Sequence, residues 1–230
     1  MEKYALLIYQ SDGIVWSRPE AERERIISAC LAHSATLAEQ GVFIDGAPLA
    51  PAGWARTARP SLDEPLLVDG PFAETKEQLA GFYLISCADR TEAVRVAEEI
   101  IRVQENTEGG IEIRTVLEAD GSFRTSSSPV LTLYPPVDRS TAFTRPPQAQ
   151  AFLRLDSAAK VFNVRVENDR AVVRLGRVVG AGEAPEALLT LSAGDSTQAE
   201  AAAWRLAVAC DAAVEVRSVL EVPGCSQTTS

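Results

Sequence analysis

The fold is decided by one stretch of the chain, VDGPFAETKEQLAGFYLI at residues 68–85. It opens with Asp69-Gly70-Pro71, which favours a turn because aspartate bonds its own backbone, glycine accepts a positive φ and proline presets φ. It closes with Phe82 to Ile85, whose aromatic and branched side chains predict a buried strand. The stretch therefore predicts a turn that leads the chain into the core.

The elements around this stretch alternate in a recognisable order. The sequence predicts strand 4–9, helix 17–40, strand 42–44, strand 81–86, helix 89–103 and strand 111–116. Ser17 is the expected N-cap of the first helix, Pro19 lies in its first turn and Gly41 follows its end. This order is that of a ferredoxin-like unit, whose helices cover one sheet face and leave the other open.

The second half of the chain repeats the first. A capping box at Asp89 and Glu92 recurs at Asp195 and Gln198. The closing strand IEIRTVLE at residues 111–118 matches VEVRSVLE at 214–221 in five of eight positions.

We therefore predict an α+β fold with two tandem ferredoxin-like repeats packed as a single-chain pseudo-dimeric α/β barrel. The repeats are 1–120 and 130–222, the linker between them is 121–129, and 223–230 is a disordered tail.

The front of the second repeat allows two registers. In the preferred one, residues 130–134 form the first strand and a short helix follows Arg145-Pro146. In the other, residues 151–155 form the first strand and the first helix is lost. A hairpin of 160–167 with 171–179 and a strand at 188–191 follow. In the first repeat, residues 54–58 and 66–68 predict a smaller hairpin.

Composition excludes several function classes. The formal net charge is -10, and residues 1–129 carry 21 acidic against 12 basic side chains, which argues against a nucleic-acid binder. The chain has one histidine and four scattered cysteines without zinc spacing, so we expect no metal site. The N-terminus has neither a signal peptide nor a membrane span, which predicts a cytoplasmic protein.

Two groups of residues are candidates for chemistry. His33 lies on the inward stripe of the first helix and suits a general base, with Asp45 as the carboxylate that orients it. The alternative is a structural histidine bonded to a backbone carbonyl. Asp69, Glu74, Lys76 and Glu77 form a polar cluster beside the turn. They either bind a ligand or serve as a turn cap and surface ion pairs.

Two further residues are candidate ligand contacts. Tyr83 would form an aromatic pocket wall, although packing in the core is the default for such a residue. Arg114 and its counterpart Arg217 would bind a carboxylate ligand if their strands line the interface of the halves. The alternating charges on these strands favour a solvated face instead.

The stretches KYALLIY at 3–9, DGPFAETKEQLAGFYLI at 69–85 and GIEIR at 110–114 resemble the DGPF branch of the YCII-related family. The resemblance covers residues 1–118 and implies a ferredoxin-like fold that pairs as an α/β barrel. It implies that some relatives use a histidine and an aspartate in a pocket, that one is a lyase on a chlorinated ring, and that some are associated with sigma factors.

This chain departs from the family pattern in two ways. The relatives' histidine lies nearer Cys30, about one turn before His33. The second half has neither a histidine nor a DGPF stretch, so we expect one site per chain.

Two functions are consistent with these features. The first is a cofactor-independent isomerase, cyclase or lyase that does acid/base chemistry on a small organic metabolite in a pocket of the first repeat. The alternative is a non-catalytic metabolite- or protein-binding module, for example in sigma-factor regulation. We expect no nucleic acid or membrane partner, and either a monomeric pseudo-dimer or a homodimer.

Overall fold

The computed structural model of the chain describes residues 1–15, 17–61, 64–105, 108–123, 129–134, 148–156, 159–168, 170–180, 182–191 and 195–220. Within these residues the protein is α+β, with three helices and one large sheet in which every strand pairing is antiparallel. The tail 223–230 lies outside the described residues. None of the described helices is both long and apolar enough to cross a membrane.

The strands and helices are bounded as follows. The first half contains β1 (Glu2–Ser11), α1 (Glu20–Glu39), β2 (Phe43–Pro48), β3 (Arg56–Arg59), β4 (Leu66–Asp69), β5 (Glu77–Cys87), α2 (Arg90–Gln104) and β6 (Gly110–Asp120). The second half contains β7 (Val130–Leu133), β8 (Ala149–Leu155), β9 (Phe162–Glu167), β10 (Arg170–Leu175), β11 (Ala187–Leu191), α3 (Ser196–Cys210) and β12 (Val214–Arg217). Both predicted hairpins, β3 with β4 and β9 with β10, are confirmed.

The two halves arrange their strands in the same way. The sheet order begins β2-β5-β1-β6 and continues β8-β11-β7-β12. Strand β7 thus occupies in its half the place that β1 occupies in the first, and β8 occupies the place of β2. This correspondence agrees with the register that starts the second half at residue 130. The short helix that this register placed after Arg145-Pro146 is wrong where the chain is described, because residues 149–155 form β8. The strand that the other register placed at 151–155 is therefore present, but in the place of β2 and not of β1.

Strands connect the halves at two seams. At one seam β6 pairs with β8. At the other, Leu49 bridges Val219, and the Leu220 N–H donates to the Pro48 carbonyl at 3.0 Å. Each small hairpin also crosses over, because β3 pairs with β12 of the second half and β9 pairs with β6 of the first.

The core has three apolar layers. Helices α1 and α2 cover one face of the first half, and α3 covers the corresponding face of the second through Ala199, Ala203 and Ala207. Between the halves lies a layer drawn from both, including Leu7 and Phe82 of the first and Leu153 and Leu188 of the second. The sheet faces that the helices leave open therefore cover each other.

The helix ends follow the sequence in two cases out of three. The carboxylates of Asp89 and Asp195 accept the backbone N–H groups of Glu92 and Gln198, so both predicted N-caps are confirmed. The Glu92 carboxylate accepts the N–H of Ala88, one residue before the N-cap, and so differs from the predicted capping box. The predicted cap of α1 is wrong. Pro19 occupies the N-cap position, and the Ser17 hydroxyl instead donates to the Ile14 carbonyl within the preceding turn.

The predicted second strand and linker also differ from the structure. Strand β2 runs on to Pro48 rather than ending at residue 44, and a bulge lies between Phe43 and Asp45. The predicted linker 121–129 begins inside packed structure, because Phe123 is buried and its ring meets Phe82 edge to face at 5.0 Å. Residues 124–128 lie outside the described part of the chain.

Gly121 fixes the chain where it leaves β6, at the seam between the halves. Its φ is +75°, and a Cβ there would lie 2.1 Å from the Gln150 carbonyl oxygen. Gly41, after α1, has a similar φ of +72° but open space around it.

We expect Gly41→Ala to lower the free energy of unfolding by about 1–2 kcal/mol, because of the left-handed backbone conformation alone. Gly121→Ala should cost about 2–5 kcal/mol because backbone overlap is added to that strain. Urea unfolding of both variants measures the difference, and equal losses would contradict the tight seam.

Candidate functional site

A small cleft opens between the two halves of the chain. It lies where the segment that leads into β5 meets the segment that leads into β11. Its lining residues are Tyr9, Ala73, Thr75, Glu77, Gln78, Leu79, Tyr134, Val179 and Glu183. Both halves therefore contribute to the same cleft.

Two tyrosines at equivalent positions form part of its wall. Tyr9 ends the pairing of β1 with β6, opposite Gly110, and Tyr134 follows β7 at the matching place in the second half. Only 2% of Tyr9 and 6% of Tyr134 is exposed. The Tyr134 hydroxyl donates to Glu215 Oε2 at 3.3 Å. The Tyr9 hydroxyl is buried and has no hydrogen-bond partner among the described residues.

Both phenols stay protonated at neutral pH. Burial, and after it the negative charge of Glu112, raises the pKa of Tyr9 well above its ordinary value. Burial, and after it Glu215, does the same for the pKa of Tyr134. The two hydroxyls therefore remain neutral hydrogen-bonding groups and do not act as bases near pH 7.

Behind Tyr134 lies a buried ion pair that belongs to the second half. Arg217 Nη1 donates to Glu215 Oε1 at 3.0 Å, and its Nε donates to the Ala50 carbonyl at 2.9 Å. Glu215 Oε2 also accepts the backbone N–H of Phe72, from the first half, at 2.8 Å. The Phe72 ring stacks on Tyr134 with centroids 4.4 Å apart. The aromatic residue of the DGPF turn is thus fixed by the other half.

The first half contains a matching ion pair. Arg114 Nη1 donates to Glu112 Oε1 at 3.2 Å, and its Nη2 donates to the Asp156 carbonyl at 3.1 Å. Glu112 Oε2 accepts the backbone N–H of Val178, from the second half, at 3.0 Å. Arg177 Nη1 also lies 3.4 Å from Glu112 Oε1. Each buried carboxylate therefore holds a loop of the opposite half.

The loop at Val178 is a structural counterpart of the DGPF turn. Gly70 and Gly176 both adopt a positive φ, +97° and +124°. The Thr57 hydroxyl donates to the Gly70 carbonyl at 2.9 Å, and the Asn163 amide donates to the Gly176 carbonyl at 2.8 Å. The sequence analysis finds no such turn in the second half, because Arg177 and Val178 replace the proline and phenylalanine. The backbone is nevertheless held in the same way, because the N–H groups of Gly70 and Gly176 donate to the carbonyls of Ala55 and Val161 at 2.8 and 2.9 Å.

His33 does not line this cleft. Its Nε2 lies 3.4 Å from Glu99 Oε2 of α2, and its Nδ1 is buried without a hydrogen-bond partner among the described residues. About 15% of the side chain is exposed. The contact with Glu99 joins α1 to α2 on the helical side of the sheet.

Asp45 lies on the opposite face of the sheet from His33. Its carboxylate accepts the N–H groups of Phe123 and Gly46 at 2.8 and 2.7 Å, in the layer between the halves. The bulge after Phe43 turns it away from the helices. The structure therefore does not bring together the predicted base and its predicted orienting carboxylate.

The predicted polar cluster is a set of surface groups. Asp69 is 90% exposed and pairs with Arg56 at 3.0 Å. Lys76 lies 3.7 Å from Glu108, and Glu74 is exposed. Of the predicted cluster Glu77 lines the cleft, with its neighbours Ala73 and Thr75, whereas Glu74 and Lys76 do not.

The last two predicted ligand contacts fall on different sides of the sheet. The Tyr83 hydroxyl lies 3.3 Å from Ser34 Oγ, against α1, and its ring packs on Phe43. Arg114 is buried in the ion pair described above.

The sequence analysis predicts that the strand face with Glu112, Arg114, Glu215 and Arg217 is solvated. This prediction is wrong, because all four residues are buried. The repeated Glu-x-Arg pattern was the available signal for the cleft, because it marks both buried pairs.

Comparisons with known proteins concern the first half. The YCII-related domain model matches residues 2–120, which end with β6. An uncharacterized protein of Rhizobium meliloti (strain 1021) is 39% identical over 111 residues, which make up 48% of this chain and 89% of that protein.

The two tyrosine hydroxyls should contribute differently to stability. Tyr134→Phe should lower the free energy of unfolding by about 1–3 kcal/mol, because it removes a hydrogen bond to a charged group. Tyr9→Phe should change it by less than about 0.5 kcal/mol or raise it, because this buried hydroxyl has no hydrogen bond to lose. Urea unfolding of the matched pair measures both. An equal loss in Tyr9→Phe would contradict the unpartnered state of this hydroxyl.

Proposed function

Because this chain belongs to the YCII-related family and its halves enclose a polar cleft, we propose that it binds a small organic metabolite there. The observation that carries the proposal is the Tyr9 hydroxyl, which is buried at the cleft without a partner among the described residues. Buried polar groups are normally hydrogen-bonded, and an exception calls for an explanation. The cleft has a volume of about 10 Å³, room for about one water molecule, so in this proposal the metabolite widens the cleft to reach this hydroxyl.

The proposal includes the pseudo-dimeric architecture. Each half is a ferredoxin-like repeat in this proposal, and the two close on each other as a barrel. Three observations support it: the matching strand orders, the shared apolar layer, and the strand contacts at both seams. The cleft then lies on the approximate twofold axis that relates the repeats, which explains why Tyr9 and Tyr134 meet in it.

The geometry favours binding over the predicted acid/base catalysis. His33 and Asp45 lie on opposite faces of the sheet, and His33 does not line the cleft. The carboxylates behind the cleft, Glu112 and Glu215, are occupied by arginine and backbone donors. The tyrosines hold their protons. The alternative of a non-catalytic metabolite-binding module is therefore the better supported of the two predicted functions.

A thermal-shift screen of small polar metabolites tests the proposal. A ligand at about ten times its Kd should raise the Tm of the wild-type chain by roughly 3–6 °C. Tyr9→Phe should weaken that ligand by about tenfold, because it removes one hydrogen bond at the cleft. Tyr83→Phe is the matched control, since it removes a hydroxyl on the helical face. Shifts that depend on Tyr83 and not on Tyr9 would overturn the assignment of the cleft.

A further inference from the structure

We propose that copies of this chain associate head to tail, through antiparallel pairing of strand β4 of one copy with strand β10 of the next. The partner that fits each strand is therefore a second copy of the chain. The inference is independent of the proposed function, because neither strand lines the cleft.

Both strands have one side that no other strand covers. Strand β4 pairs only with β3, and strand β10 pairs only with β9, in the described part of the chain. The backbone N–H and C=O groups on the uncovered side of such a strand can pair with a further strand. Each hairpin therefore offers an edge at which the sheet can continue into another molecule.

The two edge strands also carry exposed apolar side chains. Of the eight large apolar side chains that are exposed among the described residues, four lie on these strands. They are Leu66 and Val68 on β4 and Val173 and Leu175 on β10, with exposed fractions from 42% to 69%. Because side chains alternate along a strand, the two apolar residues of each strand lie on one of its faces. A partner strand beside each edge would cover part of this apolar surface.

The charges on the two edges are opposite in sign. Glu64 and Asp69 are exposed at the two ends of the β4 segment, whereas Arg170 and Arg174 are exposed on β10. Arg174 pairs with Glu167 of β9 at 2.6 Å, but Arg170 has no ion-pair partner among the described residues. Pairing of β4 with a second β4 over residues 64–69 would place Glu64 opposite Asp69, which is unfavourable. Charge complementarity therefore favours β4 against β10.

One register combines the apolar and the charged contacts. Residues 64–69 and 170–175 have the same length, so they can run antiparallel without an overhang. The exposed apolar side chains of both strands then share one face, and a shift by one residue would separate them. The side chains that lie opposite each other are Leu66 with Val173, Val68 with Ala171, Leu67 with Val172 and Asp69 with Arg170.

The Asp69 carboxylate is available for this contact. It lies 3.0 Å from Arg56 of its own copy, yet 90% of its side chain is exposed. Arg56 in turn lies 3.7 Å from Glu200 of α3, so it keeps a second acidic partner. Arg170 of a neighbouring copy can therefore approach Asp69 from the open side of β4.

The proposed interface is heterologous. Each pairing leaves a free β10 on one outer copy and a free β4 on the other, so association continues as an open chain of molecules. Both strands are short, and we therefore expect weak association that depends on protein concentration.

Sedimentation velocity of the full chain over a wide concentration range at low salt tests the inference. We expect the average sedimentation coefficient of the wild type to rise with concentration. Asp69→Arg and Arg170→Glu should each weaken association by about tenfold, because like charges then lie opposite each other. The double variant Asp69→Arg with Arg170→Glu reverses the pair and should recover association to within about threefold of the wild type.

Controls separate the edges from the rest of the surface. Glu39→Arg and Lys160→Glu are the same charge reversals at exposed residues outside β4 and β10, and they should leave association unchanged. Val173→Lys should weaken association, because it places a charge opposite Leu66. Far-UV circular dichroism should show that each variant folds, since every changed side chain is exposed.

Three results would overturn the inference. A wild type that remains monomeric at every concentration would show that the edges do not pair. Failure of the double variant to recover association would contradict the contact between Asp69 and Arg170. An equal loss of association in Glu39→Arg or Lys160→Glu would show that net charge, and not these edges, controls association.

Discussion

The arrangement of the two halves depends on one reciprocal contact. Glu215 accepts the backbone N–H of Phe72, and Glu112 accepts the backbone N–H of Val178, so each half holds a turn of the other. A carboxylate that is buried this deeply needs compensation, and Arg217 and Arg114 supply it within the same strands. Removing one partner would leave an uncompensated charge in the interior. Substitution of one partner of either ion pair should therefore destabilise the interface strongly, although few groups form it.

This contact also explains why the crossing hairpins exist. A strand pair that stayed with its own half could not present its terminal turn to the glutamate on the far side of the interface. Because β3 pairs with β12 and β9 pairs with β6, each turn is delivered next to the opposite carboxylate. The same geometry brings the segments after the turns together, and the cleft lies between them.

Sequence reasoning recovers the parts that depend on local chemistry. The N-caps at Asp89 and Asp195, the hairpins and the strand leading to Ile85 follow from residue types a few positions apart. The start of α1 is predicted two residues too early. Ser17 is a residue type that often caps a helix, but its hydroxyl bonds within the preceding turn and Pro19 takes the N-cap position. Asp45 is misplaced because a bulge changes which face it meets, and periodicity does not reveal a bulge.

The cleft is harder to predict because its parts are distant in sequence and ordinary in type. Tyr9 looks like one more apolar residue of a strand, and Glu183 looks like one more surface acid. Alternation of charge on β6 and β12 indicates solvent in an isolated sheet, yet here each buried glutamate has its counter-charge on its own strand, Arg114 or Arg217, and packing of the halves excludes water. The single histidine attracts attention because it is rare, but its partner Glu99 lies on a neighbouring helix.

Strand β6 has a consequence beyond packing. It pairs with β1 of its own half and with β8 and β9 of the other, so one continuous strand belongs to both halves. Assembly of the cleft is thereby an intramolecular event, governed by an effective concentration that the chain itself sets rather than by the amount of protein present. Two separate chains would lose such a site on dilution, whereas this one keeps it. The two halves can also differ in sequence without losing this assembly, as Pro71 and Arg177 do at equivalent places.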